Sequence, residues 1–318
     1  MRHNPPIPHE GQRTEIQSSQ RATCEDLLCD DLLPHTPDTV LRDYNFRRYE
    51  QVAFPANPLH NATLLLYLAR QMNLREQVYS ILDKLWSHLG KDQVVWGAKW
   101  TLDRFDSFEF YVYNREEPRP LRRRSVSGLR AALTPWIDHI APPKESCNYT
   151  MCSFDLKYED AAVGRASGMH IYVAGGSEKR RHESFSYGLE HEGTRLENHY
   201  TWYYANSELD ELRERLGWSV HASQCTANDH LLPQQLLDCL TISFATKTAS
   251  DGLYFNQIRT EQLVWFAAHY LPVTVSYGLA ACGSSFDHVM WDVGFDFTVG
   301  HGTDGDAAPV KFGIYGCV

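Results

Sequence analysis

The 318-residue sequence predicts an α+β fold in which a ten-stranded antiparallel β-barrel is surrounded by α-helices. Three observations carry that expectation. Of five hairpin segments, four alternate polar and apolar residues clearly with the two-residue period of a strand, giving each of them one apolar and one polar face. The polar faces are rich in Tyr, Lys and Gly rather than in the Glu, Thr and Arg mixture of a solvated sheet. Four of the five place one lysine there: Lys99, Lys157, Lys247 and Lys311. Amphipathic helices lie between most hairpins and need an apolar sheet face to cover. If helices clothe the apolar side and the strands close on themselves, the Lys/Tyr side lines a wide polar lumen. An open α+β sheet with one wet face is the competing arrangement.

Taken in order, residues 1–40 are rich in Pro, His, Gln and Asp and read as a mobile tail, leaving 41–318 as a single domain of repeated helix–hairpin–helix units. Residues 58–90 carry helical spacing, with Val78, Ile81, Leu82, Leu85 and Leu89 on one stripe and Gly90 as the stop. The first hairpin (94–100 and 108–113) sets Trp96, Ala98, Trp100, Phe108, Phe110 and Val112 against Gly97, Lys99, Glu109, Tyr111 and Tyr113. A helix is expected over 125–140. In the second hairpin Cys152, Phe154, Leu156, Met169, Ile171 and Val173 oppose Ser153, Asp155, Lys157, His170 and Tyr172. The third (184–190 and 195–204) has no clear register, and only S-E-K-R-R separates it from the second, too little for a helix. Ser207 and Asp210 resemble a capping box, and further helices fit 229–240 and 260–271. The fourth hairpin turns Ser243, Ala245, Lys247, Tyr254 and Asn256 to the polar side. The fifth turns Asp292, Gly294, Asp296, Lys311, Gly313 and Tyr315 there, with His288 on the same face.

Composition excludes several classes. A formal charge of −10 and a pI near 5.8 argue against a nucleic-acid partner or an anionic membrane surface. No apolar run is long enough to span a bilayer, and the N-terminus lacks the apolar core of a secretory signal, so a cytoplasmic location is expected. The eight cysteines have neither disulfide-framework nor zinc-site spacing.

The segments C-S-F-D-L-K-Y-E-D (152–160) and M-H-I-Y-V-A-G-G (169–176) resemble the second hairpin of the dimethylallyltryptophan-synthase-type, or ABBA, aromatic prenyltransferases. In that family a strand ending in Phe-Asp-Leu-Lys is followed by one of the form Lys-x-Tyr-x-x-Pro-Gly. Weaker echoes are R-L-E-N-H-Y (195–200), D-G-L-Y-F (251–255) and K-F-G-I-Y (311–315). The resemblance implies a PT-barrel of αββα units and transfer of an allylic prenyl group from a prenyl diphosphate to an aromatic or peptide acceptor in secondary metabolism. The chain also departs from the pattern. His170 stands where the family has lysine, and Arg195, Glu197 and His199 would occupy the places of Arg-x-Lys-x-Tyr. The first strand offers no counterpart, near Trp96–Lys99, to the glutamate of indole-specific members. The chain is closer in length to bacterial members than to fungal ones, which favours an acceptor other than free tryptophan.

That chemistry assigns residues to three tasks. Diphosphate is held by charge-assisted bonds from Lys99, Lys157, His170, Arg195, Lys247 and Lys311, helped by Tyr172, Tyr254 and Tyr315. The allylic cation is shielded by Tyr111 and Tyr113, with Asn256 and Asp292 in the acceptor pocket. Proton removal falls to Glu109, Asp155 or Lys157, the last carried over from the family's Phe-Asp-Leu-Lys; Glu109 could equally be the ionic partner of Lys99. No cofactor is expected, the lysines standing in for magnesium, although Asp292 and Asp296 could form a weak ion site or pair with Lys311. Two rivals stand beside this reading: a non-catalytic ligand-binding barrel, and a metal-dependent hydrolase using His288, Asp292, Asp296 and His301.

Overall fold

A computed structural model describes residues 31–35, 53–114, 122–140, 148–175, 182–190, 193–222, 228–299 and 306–317. Alternation does what the sequence requires. Strands β1 (Val95–Thr101), β2 (Phe105–Tyr113), β3 (Met151–Lys157), β4 (Gly168–Ala174), β5 (Glu183–Glu190), β6 (Gly193–Tyr204), β7 (Thr241–Thr246), β8 (Asp251–Ile258), β9 (Trp291–Val299) and β10 (Ala307–Cys317) pair in sequence order. β1 pairs β10 antiparallel, closing the ring. The open sheet is therefore excluded, and the chain folds as a closed ten-stranded antiparallel barrel with its helices outside.

The helices lie on the apolar side of the strands. They are α1 (Ala62–Gln71), α2 (Arg75–Leu89), α3 (Val126–Ala132), α4 (Tyr158–Ala162), α5 (Leu209–Gly217), α6 (Thr260–Tyr270) and α7 (Val273–Cys282). Their apolar stripes and the outward residues Trp96, Trp100, Phe108, Phe110, Phe154, Phe244, Phe255, Trp291 and Phe295 form the core. Burial of each such side chain is worth roughly 1.5–3 kcal/mol, so the mass of the barrel's stability lies between helices and strands.

Several local expectations need correction. The helical pattern of 58–90 is cut into two by Asn73, whose positive φ of 56° ends α1, while Gly90 at φ 93° stops α2 as expected. The segment 125–140 is helical only to Ala132. Residues 229–240 form two 3-10 turns around Pro233 rather than an α-helix. At α5 the N-cap is Glu208 with no side-chain cap, so the Ser207/Asp210 box does not form. A helix absent from the sequence reading, α7, follows Pro272. Residues 31–35, placed in the tail by sequence, pack onto the body. Asp31 is buried and meets Arg75 at 2.6 Å and Arg70 at 3.1 Å, and Pro34 bridges Leu59.

The wall of β5 and β6 is the thinnest. Among the described residues no helix lies between β4 and β5. Phe185, Tyr187 and Tyr203 on its outer side are only half-buried, and Leu196 is 55% exposed. No helix among the described residues is long and apolar enough to cross a membrane.

Candidate active site

The lumen is one cavity of 720 Å³. The strand registers divide it into two ends. Lys99, Lys157, His170, Lys247, Asp296 and Lys311 lie toward one end; Tyr113, Met151, Thr241, Ser243, Asn256 and Asp292 lie toward the other.

The charged end is a network rather than a set of free cations. Lys99 Nζ meets Glu109 Oε1 at 2.5 Å, Lys247 Nζ meets Asp296 Oδ1 at 2.6 Å, and Lys311 Nζ meets Asp106 Oδ2 at 2.6 Å. Asp296 therefore pairs with the lysine after β7, not with Lys311 as expected. Burial alone would lower Lys99, but Glu109, Tyr315, Asp155 and Asp296 outweigh it and hold its pKa well above the lysine range. Lys247 goes the other way: burial, together with Lys99 and Lys311 nearby, overcomes Asp296 and lowers it. Lys247 and Lys99, with hydrogen bonds from Lys247 and Tyr254, hold Asp296 below the usual carboxylate range despite its burial.

Glu109 and Asp155 stand directly opposite on β2 and β3. Like charges facing across a ladder are unfavourable, and the two carboxyls resolve the conflict by diverging. Burial would raise Glu109, but Lys99, Lys311 and hydrogen bonds from Lys99 and Tyr111 pull it below its ordinary value. Burial and the Glu109 charge instead raise Asp155 to about 6, against the opposing pull of His170, Lys99 and Lys311.

His170 occupies the lumen with Nε2 3.1 Å from Glu197 and Nδ1 3.6 Å from Asp155. Burial lowers its pKa, but Asp155 and the hydrogen bond to Glu197 more than offset this and raise it. The imidazolium is thus favoured by the fold. Its stabilisation is fully present below the unfolded value of about 6.5 and is lost as pH rises through the higher native value. His170→Gln should melt well below wild type at pH 5.5, with the gap closing toward pH 9. A gap that is constant with pH would show that His170 is neutral in the fold.

Five tyrosines separate the two ends. The rings of Tyr200, Tyr172, Tyr111, Tyr315 and Tyr254 follow one another at centroid distances of 6.1, 6.2, 6.1 and 6.2 Å. Burial raises the hydroxyl pKa of each, that of Tyr200 to about 12. Tyr111 donates to Glu109, and Tyr254 donates to Asp296 at 2.9 Å while accepting from Lys247 at 2.9 Å. The rings fit because glycines face them. A Cβ on Gly97 would lie 2.6 Å from the Tyr315 ring, and one on Gly294 would overlap the Tyr254 ring. At the far end Asn256 donates to Ser243 Oγ at 2.9 Å and Thr241 O at 3.1 Å, and Asp292 accepts from the Gln257 backbone at 2.7 Å.

Most sequence-derived residues converge here, but three, Arg195, His199 and His288, do not. Arg195 lies at the open end of β6, its side chain 64% exposed and bound to Glu190 and Glu197. Lys157, the exposed last residue of β3, does line the cavity, but at its mouth. His199 faces outward and stacks on Phe185. His288 lies outside the lumen against His35 and Phe54, apart from the lumen-facing Asp292 and Asp296, and His301 falls outside the described residues. Tyr200 is one residue that sequence reasoning missed. A bulge on β6, where Ser186 pairs Asn198 and Tyr187 pairs Leu196, leaves Glu197 as an extra residue and reverses the facing of everything after it.

Neither a family model nor a curated protein matches the chain by sequence. Among solved structures it is similar to 5-dimethylallyltryptophan synthase from Streptomyces coelicolor, with a TM-score of 0.51 and 12% identity over 80% of this chain and 95% of that one. The same enzyme in complex with DMASPP and Trp matches with a TM-score of 0.51 and 13% identity over 80% and 92%. NotF prenyltransferase matches with a TM-score of 0.50 and 9% identity over 79% and 92%. At these identities the likeness is one of fold.

Proposed function

We propose that the protein moves an allylic prenyl group from a prenyl diphosphate to an electron-rich aromatic acceptor, small molecule or peptide, in secondary metabolism and with no metal in the chemistry. The observation that carries this reading is one open-mouthed lumen in which a lysine cluster is separated by a belt of five tyrosines from an end lined by hydroxyl, amide and apolar groups and the Asp292 carboxylate. The solved relative bound to DMASPP and Trp holds one ligand of each kind.

In this reading the diphosphate lies at Lys99, Lys247 and Lys311, with Lys157 at the mouth. Its negative charge competes with Glu109, Asp296 and Asp106 for the lysines and favours the ammonium form of Lys247, which burial opposes. The allylic C–O bond breaks, and the bonding pair leaves on the diphosphate, where the lysines hold the growing charge. The tyrosine faces stabilise the carbocation and keep water from it, and ionised Glu109 adds a fixed negative charge nearby. The acceptor carbon supplies the pair for the new bond and then loses its proton to Asp155, whose raised pKa suits a base near neutral pH.

The test is product mass. A panel of aromatic acceptors incubated with five-, ten- and fifteen-carbon prenyl diphosphates should give an acceptor heavier by one prenyl unit, together with free diphosphate, in excess EDTA. Tight donor binding without any product would make the protein a non-catalytic ligand-binding barrel; product formed only with added magnesium would overturn the metal-free chemistry.

A further inference from the structure

At the far end of the lumen β8 carries a bulge of its own. Its pairing with β9 slips between Phe255 and Ile258: Phe255 pairs with Val293 and Ile258 with Trp291, so Asn256 and Gln257 together stand opposite the single residue Asp292. Phe255, Ile258, Val293 and Trp291 all belong to the fully buried core between strands and helices. Both residues of the bulge therefore turn to the other side, and Asn256, Gln257 and Asp292 all line the lumen. Strict alternation from Tyr254 would have put Gln257 on the outside.

The bulge is pinned from within the lumen. Gln257 has a φ of 58°, in the left-handed region that residues with a Cβ seldom occupy. Among the described residues the other non-glycine residues with positive φ are Asn73 and Asp92, both outside the strands. Asn and Asp tolerate that region because their short side chains bond the local backbone, which glutamine is too long to do. At Gln257 the conformation is held instead by Asp292, whose Oδ1 accepts from the Gln257 backbone N–H at 2.7 Å. Asn256 is engaged on β7, its amide donating to Ser243 Oγ at 2.9 Å and Thr241 O at 3.1 Å. These two residues fix the frame, and the frame delivers the neutral amide of Gln257 to the lumen. Glycine would take this φ without strain, so the side chain is what the strain retains, as at other ligand sites.

We propose that Gln257 reads the acceptor, and that the acceptor presents to it an amide or lactam edge with one N–H beside one C=O. Calling that ligand the acceptor rests on the prenyl-transfer reading; the recognition itself does not. A glutamine amide offers a donor and an acceptor side by side and pairs bidentately with such an edge, as it does with the edge of adenine. Gln257 Oε1 accepts from the N–H while Nε2 donates to the C=O, which turns the aromatic ring toward the tyrosine belt. A ligand that lacks the N–H strips water from Oε1 without replacing it and is rejected. Asp292 acts through Gln257 as a positioning residue.

Two fluorescent probes of one shape, 7-hydroxy-2-quinolone and 7-hydroxycoumarin, differ only in a ring N–H against a ring oxygen. Fluorescence titration of the full-length protein, with no donor present, should show the quinolone bound roughly tenfold more tightly or better. Gln257→Met keeps the length of the side chain and removes both polar groups, and it should bring the two affinities together. Gln257→Gly relieves the backbone and should lose the same preference, with folding of each variant checked by circular dichroism. Asp292→Ala should lose it too, whereas Asp292→Asn, which keeps an oxygen for the Gln257 N–H, should restore it. Equal wild-type affinities, binding of neither probe, or a quinolone preference that survives in folded Gln257→Met would overturn the proposal. A quinolone preference in wild-type protein that binds no prenyl diphosphate would leave Gln257 in its role and remove the prenyl-transfer reading.

Discussion

Asp155→Asn should be more stable than wild type at pH 8 and nearly inactive. The two effects share one cause, the burial of Asp155 opposite Glu109, which raises its pKa from 3.8 to about 6. A raised carboxyl pKa means that the native state holds the proton more tightly than the unfolded chain. The group's contribution is therefore best below the unfolded value and is lost as pH rises through about 6. At about 1.36 kcal/mol per unit the full cost above that range is on the order of 3 kcal/mol, part of which returns through His170. Asparagine escapes this cost and cannot take a proton. Urea unfolding should show the variant ahead of wild type at pH 8, with the difference shrinking toward pH 4. Turnover should fall roughly 10²–10⁴-fold, and wild-type kcat/KM should rise with pH through the Asp155 titration. An active Asp155→Asn would pass the base role to another group; a stability gap that ignores pH would contradict the repulsion across β2 and β3.

The second large effect is expected at Lys247. Lys247→Met leaves buried Asp296 with the Tyr254 hydroxyl but without its cation, and removing one partner of a buried ion pair costs about 3–5 kcal/mol. Donor affinity should drop tenfold or more as well, since a charge-assisted contact is worth roughly 1.5–3 kcal/mol. A double variant separates the two losses: Lys247→Met with Asp296→Leu should recover most of the stability and none of the affinity. Recovery of both would show that Lys247 serves only its aspartate. Lys311→Ala should behave as Lys247→Met does toward the donor. Lys157→Ala, at the exposed mouth, should lose less because solvent screens its charge.

Much of the barrel was legible because a strand's two faces are a two-residue code, and here both faces are strongly marked. The alternation in four hairpins placed Lys99, Glu109, Tyr111, Asp155, His170, Tyr254 and Tyr315 in the lumen before any coordinates. It failed where the code slips. The bulge at Glu197 hid Tyr200 and brought His199 inward on paper. His288 was assigned by extending the β9 alternation three residues before the strand begins at Trp291. Lysine partners were misassigned for a different reason. Asp296 lies opposite Lys311 in register, yet a side chain that long reaches past its neighbour, and Lys311 took Asp106 while Lys247 took Asp296.

The glycines under the tyrosine rings have a consequence for how such a lumen changes its occupant. Because the Tyr315 and Tyr254 rings lie flat on the backbone at Gly97 and Gly294, the bore there is set by one peptide plane plus one ring thickness. Neither strand needs to move for the bore to widen: trimming one ring opens a slot down to bare backbone on the facing strand. Narrowing it is far harder, since any side chain at either glycine must first evict the ring. The room in this barrel is thus a ratchet that turns easily toward bulkier occupants, with the hydrogen-bonded ring of strands left untouched.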